Sequence, residues 1–528
     1  MHDDTQVARV IVMGKALRNG QFPVRLVSDL GYGYGYPLFN FYGPLPYYVG
    51  GFLYMWGIPA LLAAKIMFFI GTALAGITMY VLASEILGAA AGVVSAVAFV
   101  YAPYHAVQIY VRGAVGEFWA MAFLPLVVWG LMTMKDSFRR RSAVFWGGIG
   151  LAGVILSHTI FGYLTAGTVI GGIVLYWIIS RIKKTVDRNV IIGVWKMVGI
   201  GLGISTFFWL PAFAEMGWTS VSAQIGPTAN FRDHFVCLWQ LWNAQWGFGG
   251  SISGCVDGMS FKLGKLHVFL ALTGLLAWWI KRNAVPKKTH YILLALGITL
   301  GAVFIMLPSS QFLWDIVPFS SYVQYPWRFL TYAVLGLSML GGLAVTMTDK
   351  RALQWLLAVV IVIAIVAVNA KWFRGQYRVD RPAGAYEDSG ELRFRVSKIS
   401  DEYLPASLPR PNVLSEVVSD SVPATVDYTV ETEVDTETYF RFVVTSRKDA
   451  EVTIRRAYFP GWNFWVNGKV TNPSIVDGVP HIPVSTGESI IEMHFFSTPV
   501  RVIGNLISVM TLMITLFFYG KKQTKTLA

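Results

Sequence analysis

The chain has 528 residues, a formal net charge of +13, 55% hydrophobic residues and only 14% charged ones, with a mean hydropathy of +0.52. That composition excludes an ordinary soluble domain and points to a protein built largely in lipid. The positive charge does not call for nucleic acid, because it is gathered in short connectors between apolar runs.

In chain order, Val7, Val10, Ile11, Gly14 and Leu17 recur at helical spacing, with Arg9, Lys15 and Arg18 on other faces. They predict an amphipathic helix lying along the outer membrane surface, ended by Gly20 and Pro23. Asp3 and Asp4 stand at its start, either as an N-cap or as a general base or metal ligand above the membrane. Residues 31–48 read GYGYGYPLFNFYGPLPYY. Their glycines and prolines exclude a regular helix and predict an ordered loop. Its tyrosines, Tyr42 among them, suit either sugar rings or an aromatic interfacial belt. The apolar stretch 44–57 is short and interrupted by Pro44, Pro46, Gly50 and Gly51, so it reads as interfacial or re-entrant.

About eleven apolar runs follow, near 60–83, 88–104, 115–134, 142–157, 160–180, 190–210, 264–281, 290–307, 328–347, 353–370 and 502–520. Each approaches the length that crosses a bilayer as a helix. Lys135 with Arg139–Arg141, Arg181 with Lys183, Lys184 and Arg188, Lys281 with Arg282, Lys287 and Lys288, Lys350 with Arg351, and the tail Lys521, Lys522 and Lys525 all fall on one side if the runs alternate. The positive-inside rule makes that side cytoplasmic. The first residue is then outside, either on a short translocated tail or, as we favour, after a helix that a longer version of the chain would carry. Loop 211–263 is outside too and holds both cysteines, Cys237 and Cys255, as a disulfide or as two unpaired thiols. Residues 371–499 bring back acids and short alternating runs, which predict a small antiparallel sandwich.

The expected architecture is an α-helical polytopic membrane protein with a small extracytoplasmic β-sandwich. It divides into an outer segment 1–59, a multi-spanning domain 60–370, a β-rich domain 371–499, and a final helix with a basic cytoplasmic tail, 500–528. Only 12 of the 30 acids precede residue 371. Eight of them (Asp3, Asp4, Asp29, Glu117, Glu215, Asp233, Asp257 and Asp315) fall in segments assigned to the outer side. Ionised groups near lipid are costly and often functional.

Glu117 follows Arg112 by five residues at a helix start, where it either serves function or forms a structural pair and favours the macrodipole. His105 shares that turn, as a phosphate partner or a plain interfacial histidine. His158 sits at a hairpin between two runs, open to a metal or phosphate role. Arg328 begins a crossing, either to grip phosphate or to snorkel.

HDDTQVAR, GQFPVR, the tyrosine-rich block, Arg112-Gly-Ala-Val-Gly-Glu117, Ser157-His158, Gln324-Tyr-Pro-Trp-Arg328 and Tyr458-Phe-Pro-Gly-Trp462 occur in this order. Together they resemble the prokaryotic membrane-protein family named for a 6-pyruvoyl-tetrahydropterin synthase relation. That family is similar to the YfhO-like proteins and the GT-C glycosyltransferase superfamily. The resemblance implies no pterin chemistry. It implies transfer of a sugar from a polyprenyl-phosphate carrier to a cell-envelope glycan or lipid acceptor on the outer face of the cell membrane. Asp3 and Asp4 match the family's acidic position, while Leu26 stands where a Trp is usual. On this reading Asp3, Asp4 and Glu117 are the candidate catalytic acids. Arg9, Arg25, Tyr42, His105, Arg112, Gln324 and Arg328 are the candidate substrate contacts, and His158 is a candidate ligand for a divalent metal, Mg or Mn. The other readings are a transporter or lipid flippase, and a non-catalytic envelope-assembly scaffold.

Overall fold

A computed structural model describes residues 4–221, 230–282, 286–318, 320–377 and 379–526; the expectation for Asp3 lies outside them. The longer helices are α1 (Gln6–Arg18), α2 (Leu45–Met55), α3 (Ala60–Leu87), α4 (Ala89–Val100), α5 (Val115–Thr133), α6 (Arg140–Ser157) and α7 (Thr159–Ile182). They continue as α8 (Arg188–Glu215), α9 (Lys265–Lys281), α10 (Pro286–Met306), α11 (Leu330–Gly342), α12 (Arg351–Asn369) and α13 (Pro499–Thr526).

All eleven apolar runs are helical. Among the described residues, eight helices are long and apolar enough to cross a membrane, and Ala89–Val100 with Pro103–Arg112, bent by 43°, makes a ninth. The other two runs are weaker candidates than expected. Helix α9 has 17 residues, and α6 is opened by Arg140 and Arg141 and rich in glycine. Helices α5 and α11 lie mostly enclosed, whereas α7, α12 and α13 turn most of their apolar surface outward. Exposed Leu356, Val359 and Ile363 on α12 are unremarkable where lipid is the solvent.

The bundle has two unlike ends. At one, Arg139 pairs with Glu85, Lys281 with Asp349 at 2.8 Å, and Arg141 lies 5.9 Å from the Tyr519 ring, so several basic connectors cluster together. At ~1.5 Å rise per residue, the 19 residues of α5 carry the chain roughly 28 Å from there to the other end.

That other end is built from the N-terminal segment, the loop around the cysteines and the residues after 370. Helix α1 forms where expected, but nine of its residues are buried. It is packed inside the protein, against α2, rather than laid on a surface. Helix α2, with 11 residues, is about 16 Å long, too short to cross. Residues 379–427 carry no strand, contrary to the expectation of a β-rich domain from 371. Their Leu392, Val396, Leu404 and Leu408 instead complete one core with Val10, Tyr36 and Tyr47.

The strands begin at β1 (Tyr428–Asp435) and β2 (Tyr439–Ser446), followed by β3 (Ala450–Thr453), β4 (Trp462–Val466), β5 (Lys469–Thr471), β6 (Ser474–Val476), β7 (Val479–Val484) and β8 (Gly487–Phe495). They form an antiparallel five-stranded sheet in the order β1-β2-β8-β4-β5 and a three-stranded sheet β3-β7-β6. Alternate residues Phe440, Phe442 and Val444 of β2 and Ile491 and Met493 of β8 point inward, as the period of two requires. They meet Val452, Ile482 and Val484 of the smaller sheet in a core that also takes in Leu26, Phe41 and Ala212. The β domain is therefore anchored on the helical part. Cys237 and Cys255 are disulfide-bonded, with Cα atoms 5.7 Å apart.

Candidate functional site

Tyr104, Gln108 and Arg112 recur every four residues on the bent segment after Pro103, and so share a face. The last turn, Val107–Arg112, is a π-helix closed by Gly113 at φ 68°, a left-handed turn that glycine adopts freely. It delivers the chain into α5, whose first turn carries Glu117. Glu117 is fully buried, and a buried carboxylate is tolerated only when well paired. Its Oε1 accepts from the Tyr104 hydroxyl and from Gln108 Nε2 at 3.2 Å. Its Oε2 accepts from Arg112 at 2.7 Å and lies 3.9 Å from Arg328 Nε. Arg112 stacks 4.4 Å over the Trp327 ring and Arg328 5.1 Å over Tyr325. Arg328 Nη1 donates to the Val323 carbonyl at 2.5 Å and to Gln324 Oε1 at 3.4 Å. Among the described residues its Nε has no hydrogen-bond acceptor.

His158 reaches the same place by close backbone approach. A Cβ on Gly116 would fall 2.7 Å from the Ser157 carbonyl, and one on Gly43 only 2.1 Å from it. Only glycines let the start of α5 and the tyrosine-rich loop press on the corner between α6 and α7. His158 caps α7, its ring nitrogen accepting from the Phe161 N–H at 3.4 Å. Burial, then the positive Arg328, push its imidazole down to about 3 against the pull of Glu117. The neutral ring is therefore the resting form.

A second cluster adjoins the first. Arg9 is buried, donates to Ser400 Oγ at 3.1 Å and to the Tyr47 hydroxyl at 3.4 Å, and lies 4.2 Å over the Tyr42 ring. Tyr47 in turn donates to Gln6 Oε1, and Gln6 Nε2 to the Gly113 carbonyl at 2.7 Å. A hydrogen-bonded chain thus runs from Arg9 to the turn that holds Arg112. Asp4, two residues before Gln6, is exposed and takes both its bonds from Arg395, at 2.9 and 2.8 Å.

Two expected contacts lie elsewhere. Arg25 donates to Asn40 Oδ1 at 2.9 Å, to the Phe207 carbonyl at 2.8 Å and to Asn505 Oδ1 at 3.2 Å. Asn40 in turn donates to Glu215 at 2.8 Å, and Glu215 pairs with the fully buried Arg501 at 2.9 Å. Arg25 is thus a strut between distant parts of the chain. His105 is enclosed edge-on between Phe99 and Phe118, packed away from the cluster. A metal at His158 would face Arg112 and Arg328, and the described residues contain no group of three His, Cys, Asp or Glu able to hold one. The described residues around His158 do not fit a divalent ion.

The structure thus brings together Arg112, Glu117, His158, Gln324 and Arg328, with Arg9 and Tyr42 alongside. It adds Tyr104, Gln108, Tyr325 and Trp327. The four-residue spacing of Tyr104, Gln108 and Arg112 is the signal that could have found the first two.

A buried, charged cluster at one end of an apolar helical bundle defines a multi-pass membrane protein. Residues 39–374 match the profile of the 6-pyruvoyl-tetrahydropterin synthase related domain, a membrane protein, and the chain belongs to that family. An uncharacterized protein of Lactococcus lactis subsp. cremoris (strain MG1363) is 26% identical over 224 residues, 40% of this chain and 34% of that protein. The match thus spans about a third of that relative's length. The crystal structure of ArnT from Cupriavidus metallidurans bound to undecaprenyl phosphate aligns with a TM-score of 0.35 at 15% identity, over 74% of this chain and 64% of ArnT.

Proposed function

We propose that the protein is a GT-C-type glycosyltransferase that moves a sugar from a polyprenyl-phosphate carrier to a cell-envelope glycan or lipid acceptor on the non-cytoplasmic face. The observation that carries this reading is the pair of guanidiniums, Arg112 and Arg328, held by one buried carboxylate where the apolar bundle meets the β-domain end. A lipid-linked phosphate would bring its chain along the bundle and its charge to that place. Planar guanidiniums suit phosphate oxygens.

In this reading Arg112 and Arg328 take the phosphate, and Glu117 is a positioning residue that keeps them charged and aimed. The carrier's bond between the anomeric carbon and phosphate oxygen breaks, with its electron pair staying on the phosphate. The acceptor oxygen forms the new bond to the anomeric carbon, and its proton passes to a carboxylate. In this reading that carboxylate belongs to the Asp3/Asp4 pair, and Asp4 exchanges its Arg395 partner for the acceptor to perform the task. Supporting this reading, Gln6, two residues after Asp4, bonds the Gly113 carbonyl beside Arg112 at 2.7 Å. Stabilising the departing phosphate as charge develops is the main catalytic contribution such a site offers.

The test is transfer from a radiolabelled polyprenyl-phosphate sugar in membranes containing the full protein. Removing a general base typically costs ~10²–10⁴-fold, so the Asp3→Asn/Asp4→Asn double variant should lose turnover on that scale. Arg328→Ala should instead raise the donor KM. Unchanged transfer in the double variant removes the proposed base. Absence of transfer from any lipid-linked sugar removes the function.

A further inference from the structure

Beside the Arg112 cluster, a cavity of about 370 Å³ is lined by Trp246, Phe248, Lys371, Trp372 and Arg374. Trp246 and Trp372 stack with centroids 4.7 Å apart. Lys262 and Lys371 lie 4.9 and 4.8 Å from the Trp372 ring, and Lys265 lies 5.3 Å from Trp242. Cations over indole faces are favourable, but cations beside one another are not. Burial and the neighbouring Lys265 and Lys371 hold the Lys262 amine below the usual lysine range. Among the described residues, no carboxylate pairs with Lys262, Lys265, Lys371 or Arg374. The acid that Lys262 feels is Asp257, whose oxygens are taken by Gln240 Nε2 at 2.7 Å and the Gln245 N–H at 2.8 Å. The patch therefore concentrates uncompensated positive charge around a flat aromatic platform.

Its position is informative as well. Phe261, next to Lys262, touches the Trp327 ring at 6.3 Å, and Trp327 is the ring under Arg112. Phe373, next to Trp372, touches Tyr110 at 6.1 Å. One layer of aromatic side chains separates the two places.

We propose that this patch binds an anionic saccharide: its sugar ring takes the place of the lysine ammoniums over Trp372, which stacks on Trp246, and its carboxylate or phosphate is held by Lys262, Lys371 and Arg374. Calling that saccharide the acceptor rests on the glycosyltransferase reading; its binding does not. Ring stacking supplies affinity for a saccharide, and the cations select a charged one. An anionic phospholipid headgroup shares the charge but not the pyranose ring, which separates the two sources by experiment.

The test uses the full chain in neutral detergent, with no donor present, so its outcome is independent of the transfer assay. Isothermal titration compares a hexasaccharide of alternating glucuronate and N-acetylglucosamine with neutral chitohexaose. The anionic sugar should bind at least tenfold more tightly, and the preference should shrink with added salt. Trp372→Ala and, separately, the exposed pair Lys371→Ala/Arg374→Ala should each weaken it at least tenfold while keeping the parent thermal midpoint. Equal binding of the two sugars, or unchanged binding in Lys371→Ala/Arg374→Ala, overturns the proposal. So does a protein that binds neither sugar but retains phosphatidylglycerol over phosphatidylcholine in vesicles, with that retention lost in the same variant.

Discussion

Glu117 spends both carboxylate oxygens on donors, Tyr104 and Gln108 on one and Arg112 on the other. Arg112, Glu117, His158 and Arg328 were legible as candidates from residue type and position, each polar at the edge of an apolar run, whereas Gln324 was marked only by the family resemblance. Their gathering was not legible, because it depends on Gly43 and Gly116 letting two backbones meet at Ser157. Arg25 shows the opposite failure. Its partners at Phe207 and Asn505 lie 182 and 480 residues away, and nothing local marks it as a strut. His158 gives a test at this scale. Its imidazole titrates near 3 in the folded protein, below the ordinary value of about 6.5. The unfolded chain therefore binds its proton first, and stability falls as pH drops from about 6.5 towards 3. Thermal unfolding in detergent across that window should show a smaller loss in His158→Gln than in the parent. Equal slopes would remove the shift.

Among the elements, hydrophobic length found every long helix, because the lipid requirement is written in each run by itself. Burial of α1 was not readable, since the residues that cover it, such as Leu392 and Val396, come almost four hundred positions later. Alternation marked strands only from Val426 onward, while the return of acids set the domain boundary at 371; between the two, Leu392, Val396, Leu404 and Leu408 serve the α1 core. The element contact most open to measurement is that of α8 with α13, where Glu215 accepts from Arg501 at 3.1 and 2.9 Å. Breaking a buried pair from one side costs about 3–5 kcal/mol. Arg501→Met should lower the thermal midpoint accordingly, and adding Glu215→Gln should recover part of the loss. A double variant as unstable as the sum of the singles would show that the two do not act together.

At the scale of the molecule, basic connectors share one end, and we propose, on the positive-inside rule, that this end faces the cytoplasm. The two cysteines are bonded to each other, so an introduced cysteine offers a unique thiol for labelling. Phe138 and Val470 are both well exposed. An impermeant maleimide added to intact cells should label Val470→Cys and not Phe138→Cys; labelling of both from the same side would reject the orientation.

The strut through Arg25, Asn40, Glu215, Arg501 and Asn505 also sets an order in time. Arg25 bonds directly to Asn505, 480 residues later, so that length of chain must be made before Arg25 has all its partners. Until Arg501 is inserted, Glu215 lacks the guanidinium that meets it at 2.9 Å. The Arg112 cluster leans on the same N-terminal segment through Gln6 and Gly113. The strut that ties Arg25 and Glu215 together is therefore complete only once α13 is in place.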